Sequence, residues 1–228
     1  MNAEMPMVAE LNLPQAFLLL ATNDQDGTPE VPMYALRTTL AGAILAELDL
    51  IGAIGLQGKR VRATGTAPQT DFQHELELIR GKSRPHTPKR WVSMLEGRAE
   101  VQRVYEGLAA LGIVEHVGER HLGLFRTVRY PEKDHAPAAA LLKKIQAALS
   151  AAPSDAGTPD STGTDAGTPD GRTTALIALL QAAGLLSKLV PAADKIRASE
   201  LAKDYWPSHA VEDELRMIRL AEEEEPGI

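Results

Sequence analysis

Five basic side chains, Arg80, Lys82, Arg84, Lys89 and Arg90, fall between Leu78 and Leu95 with no acidic residue among them. Cations concentrated without counter-charges attract anions, so this run is a candidate anion-binding face; its plainer reading is a solvated loop. Arg98 and Arg103 follow close behind. Five positions apart, they differ by about 140° around a helix and would flank a site rather than line one stripe. Arg103 also has Glu100 and Glu106 at three-residue spacing, where helix salt bridges form. The other reactive combinations stop short. There is no cysteine, which excludes thiol nucleophiles, disulfides and thiolate-held metals. No Walker loop, dinucleotide GxGxxG or nucleophile elbow GxSxG is present. His74-Glu75 begins like a zinc-protease HExxH, but Leu78 stands where the second histidine belongs. Asp24-x-Asp26-Gly27 lacks the third acid and closing glutamate of a calcium loop and reads as a turn. His116 and His121 would lie opposite one another in a hairpin, either as two ligands awaiting a third or as an exposed pair. Neither a catalytic residue nor a metal or other cofactor is expected.

The elements that would hold these groups are mostly helical. Leu40, Ile44, Leu45, Leu48 and Ile51 recur at helical spacing, which predicts a helix over 39–52, capped by Thr38 or Thr39 and packed on an earlier helix near 13–21. A hairpin over 53–66 centred on Gly58 follows, then a helix near 71–82 opened by a Thr70/Gln73 capping box, and one near 88–96 opened by Thr87-Pro88. A helix over 98–111 leads into a second hairpin, with Gly118-Glu119 as its turn and strands at 113–117 and 120–128. LAELDLIGAIGLQGKRVRATGTAP and LAALGIVEHVGERHLGLFRTVRYP are thus two versions of one device, a helix passing through glycine into a hairpin and stopping before proline. Further helices are predicted over 136–149, 173–190, 191–204 and after Pro207.

Between the helices at 136–149 and 173–190, residues 151–171 are rich in Pro, Gly, Ser, Thr and Asp and contain DAGTPD twice, a flexible, disordered loop. The roughly 57 residues after it are few for an independent core, so it interrupts one domain spanning 1–228. The predicted fold class is mainly α: one helical domain with two β-hairpins in winged-helix-like units, a flexible loop and an acidic tail over 212–228. The N-terminus has acids where a signal peptide needs bases, and no apolar run approaches the roughly 18 residues of a membrane span. A cytoplasmic protein, peripheral on the inner face of a membrane, is therefore expected. With more Arg than Lys in an Ala- and Leu-rich chain, the composition fits a bacterial source.

The ordered set LPQAFLLLATNDQDG, TLAGAILAELDLIGAIGL, GLAALGIV, LGLFRTVRYP, LLKKIQAAL and RTTALIALLQAAGLLSKLV, over residues 11–205, resembles the Golgi phosphoprotein 3 family. The resemblance implies a helical domain with a protruding hairpin. Its eukaryotic members recognise phosphatidylinositol 4-phosphate and bind the tails of glycosyltransferases, without being enzymes. Of the family's headgroup residues, one arginine matches Arg98; the second falls on Val101, the early arginine on Ala41 and the aromatic near Pro32. Tyr34 and Arg37 are close enough in sequence to replace the early pair, and Arg103 matches a further basic position outside the pocket. One retained guanidinium cannot hold a phosphoinositide alone, so a broader preference for anionic lipid is expected. Arg84, Lys89, Arg90 and Arg103 would support that face, with Leu122, Leu124 and Phe125 as a hairpin wedge or as packing against a second copy. Expected partners are an anionic phospholipid surface, client protein tails and another copy of the chain, with no nucleic acid.

Two alternatives stay open: a winged-helix DNA binder with Lys59, Arg60 and Arg62 on its wing, and a pure interaction module assembling through the second hairpin. The net charge of −7 at first opposes any anionic partner. Four aspartates in 151–171, and seven acids against two arginines in 212–228, account for it; the remainder carries +2.

Overall fold

The structure is a computed structural model that describes residues 11–65, 68–121, 125–150 and 170–224; of residues 119–121, 125–127, 222 and 224 it describes the backbone alone. Its first helices are α1 (Leu13–Leu20) and α2 (Met33–Leu50), the latter leading into β1 (Ile54–Gln57) and β2 (Arg60–Ala63). Then come α3 (Gln73–Arg80), α4 (Pro88–Leu95) and α5 (Arg98–Ala110), which leads into β3 (Val117–His121) and β4 (Phe125–Arg129). The chain continues through α6 (Ala136–Ser150), α7 (Gly171–Ala182), α8 (Leu186–Leu189), α9 (Lys195–Ala202) and α10 (Trp206–Glu224). The mainly helical class with two antiparallel hairpins is as predicted.

α2 forms the centre, packed against α1, α4, α7 and α10. Leu36, Leu40, Ile44, Leu45 and Leu48 fill its contacts, while Ala35, Ala41, Ala43 and Ala46 let neighbours approach. Gly42 marks the closest approach: a Cβ there would overlap the Val211 side chain of α10. The helix begins earlier than predicted, at Met33 after Pro32, whose missing N–H costs nothing at a helix start. Thr38 and Thr39 consequently lie buried inside the helix and cap nothing. Buried Glu47 accepts two bonds from Arg172, at 2.5 and 3.1 Å, and the Leu13 N–H at 2.7 Å, tying α1, α2 and α7 together.

Three helices end in the same Schellman geometry, with Gly52, Gly112 and Gly184 at φ of 71°, 74° and 76°. The N–H of the next residue, Ala53, Ile113 or Leu185, reaches back to Leu48, Leu108 or Leu180. Gly184 thereby divides the predicted 173–190 helix into α7 and α8. Asp170 caps α7 by accepting the Thr173 N–H at 2.8 Å, so Asp170 and Gly171 belong to the helix start and not to the loop. Burial works against that carboxylate's charge, yet its bonds to Thr173 and the Arg172 backbone, with Lys144 nearby, hold it below its ordinary pKa. The rest of the predicted loop, 151–169, lies outside the described residues. On either side of it, α6 and α7 pack against each other.

Asp194 caps α9, which is shorter than the predicted 191–204 helix. The acidic tail is helical as far as Glu224, where α10 ends. The expected Thr70/Gln73 capping box does not form: Phe72 is the N-cap residue, and the Gln73 side chain turns to Glu77. Buried Phe72 sets the register there. Thr87 caps α4 as predicted.

In the first hairpin Gln57 opposes Arg60 across a Gly58-Lys59 turn, with Gly58 at φ 61°. In the second, Gly118 opposes Val128 and Glu119 opposes Thr127, so Gly118-Glu119 is strand and not turn. Register is dictated from the root instead, where Glu115 N–H bonds Pro131, Tyr130 N–H bonds Gly27 and Val114 bridges Glu132. Among the described residues no helix is long and apolar enough to cross a membrane.

Candidate functional site

Two basic stretches separate in sequence are joined in space. The Val61 N–H of β2 donates to the His86 carbonyl at 2.9 Å, and Arg60 Nη1 donates to the Pro85 carbonyl at 2.7 Å. The loop between α3 and α4 is thus fastened along the first hairpin. Its far end is anchored by Trp91, fully buried and met edge-on by the His86 ring at 5.5 Å. Lys59, Arg60 and Arg62 of the hairpin therefore share one region with Arg80, Lys82, Arg84, Lys89 and Arg90. Arg84 and Arg90 are exposed; Lys89 is half-buried, 4.0 Å from Glu214 of α10, and Arg80 bonds Glu77 at 2.9 Å.

Tyr34 and Arg37 occupy the start of α2, three positions apart on neighbouring faces. Tyr34 is half-buried against the core; Arg37 is half-buried with its Nε enclosed and no hydrogen-bond partner. The next residue, Thr38, donates its hydroxyl to Glu96 at 2.7 Å, drawing the turn between α4 and α5 against α2. Arg98, exposed, begins α5 two residues later. The Thr38–Glu96 bond is thus the observed link between the start of α2, which carries Tyr34 and Arg37, and the turn that precedes Arg98. The positions where the resemblance expects two more arginines are core: Ala41 is 1 % and Val101 6 % exposed. Pro32 is exposed at the N-cap of α2.

Arg103 is committed elsewhere. It forms an ion pair with buried Glu75 of α3, donates to the Asp71 carbonyl at 2.8 Å and sits 5.3 Å from the Phe72 ring. Its partner is Glu75 and not Glu100 or Glu106 of its own helix. Glu106 instead accepts the Tyr130 hydroxyl at 3.2 Å and pairs with His116 Nδ1 at 2.9 Å. His116 and His121 are not cross-strand neighbours, since His116 precedes β3 and His121 ends it. Among the described residues no group of three or more His, Cys, Asp or Glu could hold a metal ion. Leu122 and Leu124 lie outside the described residues, as does the Phe125 side chain; the Phe125 backbone opposes His121.

The Asp24–Gly27 segment is the turn its composition implies, with Asp26 accepting the Thr28 N–H and hydroxyl at 2.8 and 2.6 Å. These bonds hold the Asp26 carboxyl below its ordinary pKa. Sequence reasoning missed its location: a Cβ on Gly27 would run into the backbone of Tyr130 and Pro131, so this turn seats the root of the second hairpin. Also missed was a cavity of about 410 Å³ beside it, lined by Leu19, Leu20 and Leu142 together with Asp24 and the pairs Glu30–Lys188 and Glu132–His135. α2, which leads into the basic hairpin, is enclosed by α1, α4, α7 and α10.

A family model described as Golgi phosphoprotein 3 (GPP34) matches residues 13–218, from the first residue of α1 into α10. No curated protein matches the chain.

Proposed function

The chain belongs to the Golgi phosphoprotein 3 family, and from that premise we propose that it is a non-enzymatic peripheral adaptor that docks on anionic phospholipid. The observation that carries this reading is the pair of bonds from Val61 and Arg60 to the α3–α4 loop, which merges two acid-poor stretches into one cationic surface. Each basic side chain near an anionic leaflet contributes about 1 kcal/mol, so engaging four of them strengthens binding roughly a thousandfold. Tyr34, Arg37 and Arg98 are the proposed headgroup contacts, and Arg84, Lys89 and Arg90 supply the surrounding field. Leu122, Leu124 and Phe125 are the proposed wedge into the membrane or against a second copy. For the adaptor half, the largely apolar cavity beside the Gly27 turn, where Lys188 already pairs with Glu30 and His135 with Glu132, is the proposed seat for an apolar residue of a client tail.

Co-sedimentation of the full chain with vesicles tests the lipid claim. Binding is expected to phosphatidylserine or phosphatidylinositol 4-phosphate vesicles, weakening steeply with salt and lowered by Arg84→Glu with Arg90→Glu. Absence of binding to every anionic vesicle at low ionic strength overturns it.

A further inference from the structure

We propose that the cleft between β2 and the C-terminal end of α3 is a phosphate-binding site, separate from the contacts at Tyr34, Arg37 and Arg98. The cleft is about 270 Å³ and is lined by residues 61–64 with Ile79, Arg80, Lys82 and Pro85. Three cations, Arg62, Arg80 and Lys82, surround it. Each comes from a backbone held in place: β2 by its ladder to β1 and its bond to His86, α3 by buried Ile79, and the loop by Arg60 on Pro85. Arg62 faces Gly55 across the ladder, so no cross-strand side chain competes for it. The Thr64 hydroxyl is occupied by the Gly52 and Ala53 carbonyls, which leaves the cations to do the binding.

Charge and size identify the ligand class. Glu77, bonded to Arg80 Nη1, is the carboxylate paired with this group, and a guanidinium has donors beyond the one that Glu77 takes. Three cations against one carboxylate leave about +2, matching the −1.5 to −2 of a phosphate monoester near pH 7. A volume of about 270 Å³ admits a phosphate group with room for part of the ester that carries it. The guanidinium forks of Arg62 and Arg80 suit bidentate contact with its oxygens. The phosphate comes from a lipid headgroup or from a soluble phosphate ester. This deepens the basic-face reading above and rests on it only for the lipid as source.

The test uses the full chain with inorganic phosphate in equilibrium dialysis at low ionic strength, and in parallel with phosphatidylcholine vesicles containing phosphatidylinositol 4-phosphate. The variant is Arg62→Gln with Lys82→Gln, both exposed positions. The control, with equal charge loss, is Lys143→Gln with Lys203→Gln on other helices, and far-ultraviolet circular dichroism verifies folding of each. Saturable phosphate binding is expected in the wild type and control, at least tenfold weaker in the variant. Parallel loss of vesicle binding assigns the phosphate to a headgroup; retained vesicle binding assigns it to a soluble ester. The proposal is overturned if the wild type shows no saturable phosphate binding, or if variant and control bind alike. Failure of the wild type to bind any anionic vesicle would sink the basic-face reading while leaving the dialysis result intact.

Discussion

The two helix-to-hairpin units share a backbone and differ in everything docked against it. α2 and α5 leave through the same glycine geometry, with a buried residue just beyond it bonded to a leucine five residues back. The first hairpin then lies along the α3–α4 loop and carries Lys59, Arg60 and Arg62 with no acid. The second is rooted on the Gly27 turn, among Asp24, Glu106, Glu132 and His135. Its Tyr130 ring stacks on Tyr105 at 4.3 Å, 2° from parallel. Burial, then the Glu106 charge and bond, push the Tyr130 hydroxyl up to about 12; burial does the same for Tyr105 despite its Thr22 bond. One local device thus serves a cationic surface in one place and an acid-edged root in the other, and tertiary neighbours make the choice.

Gly27→Ala is the largest perturbation of this contrast, because it combines a positive φ with a collision against backbone that cannot rotate away. The expected cost is about 3–5 kcal/mol, lowering Tm by roughly 10 °C, with exchange protection lost first in the second hairpin. A loss below about 1 kcal/mol would show that the root yields and that the two hairpins are not distinguished there. Arg103→Ala comes next. Arg103 joins α3, beside the first hairpin, to α5, which leads into the second. Removing it strands Glu75, 1 % exposed, without its cation. A buried pair broken on one side costs about 3–5 kcal/mol, discounted to about 2–3 because Arg103 is 43 % exposed. Urea unfolding of Arg103→Ala, Glu75→Gln and the double variant measures the coupling, and additivity would dissolve the link between the units.

Sequence and structure agree where the signal is local. Helical periodicity found α2, α5 and α6, Thr87-Pro88 found the start of α4, and Gly58 found the first turn, because each depends on side chains within a few residues. Gly118-Glu119 misled because the register of the second hairpin is dictated by Gly27, some ninety residues earlier in the chain, and by the Glu115 to Pro131 bond. The start of α2 was misjudged because Thr38 and Thr39 look like caps until the folded chain buries both, with Thr38 bonded to Glu96. At the candidate site, the basic run over 80–90 was legible as charge. Its union with Arg60 and Arg62 was not, since two backbone carbonyls, His86 and Pro85, make it. The Arg103 pairing was missed for a similar reason: same-helix partners are visible in sequence, whereas Glu75 is 28 residues away.

The smaller predictions address the shared half of the comparison and then the difference in charge. A Cβ at Gly52 or Gly112 meets nothing within 4 Å, so alanine there is opposed only by the positive φ. Each substitution should cost about 1 kcal/mol, and the two should agree within about 0.5 kcal/mol. A larger gap in urea midpoints would mean that the two exits are not energetically equivalent.

Glu132 gives the finest test. Burial raises its pKa above the ordinary 4.5; the His135 bond and charge pull it down, while Asp24 and Asp134 push it up. The folded chain consequently holds this proton more tightly than the unfolded one. Its contribution to stability is greatest below about pH 4.5 and is lost as pH rises through the raised folded value, giving a negative slope. Glu132→Gln should remove that component, so that its urea midpoint falls less than that of the chain with Glu132 intact as pH rises above about 4.5. Groups away from Glu132 titrate in both proteins and cancel in the difference; His135, which bonds to it, is replaced by Gln in both chains compared. The first hairpin has no carboxylate to supply such a slope, and substitutions at Lys59 or Arg62 should leave the profile's shape unchanged. Were Glu132→Gln to follow the slope of the chain with Glu132 intact, the second root would be as open to solvent as the first hairpin's face, and the two units would differ in sign of charge but not in burial.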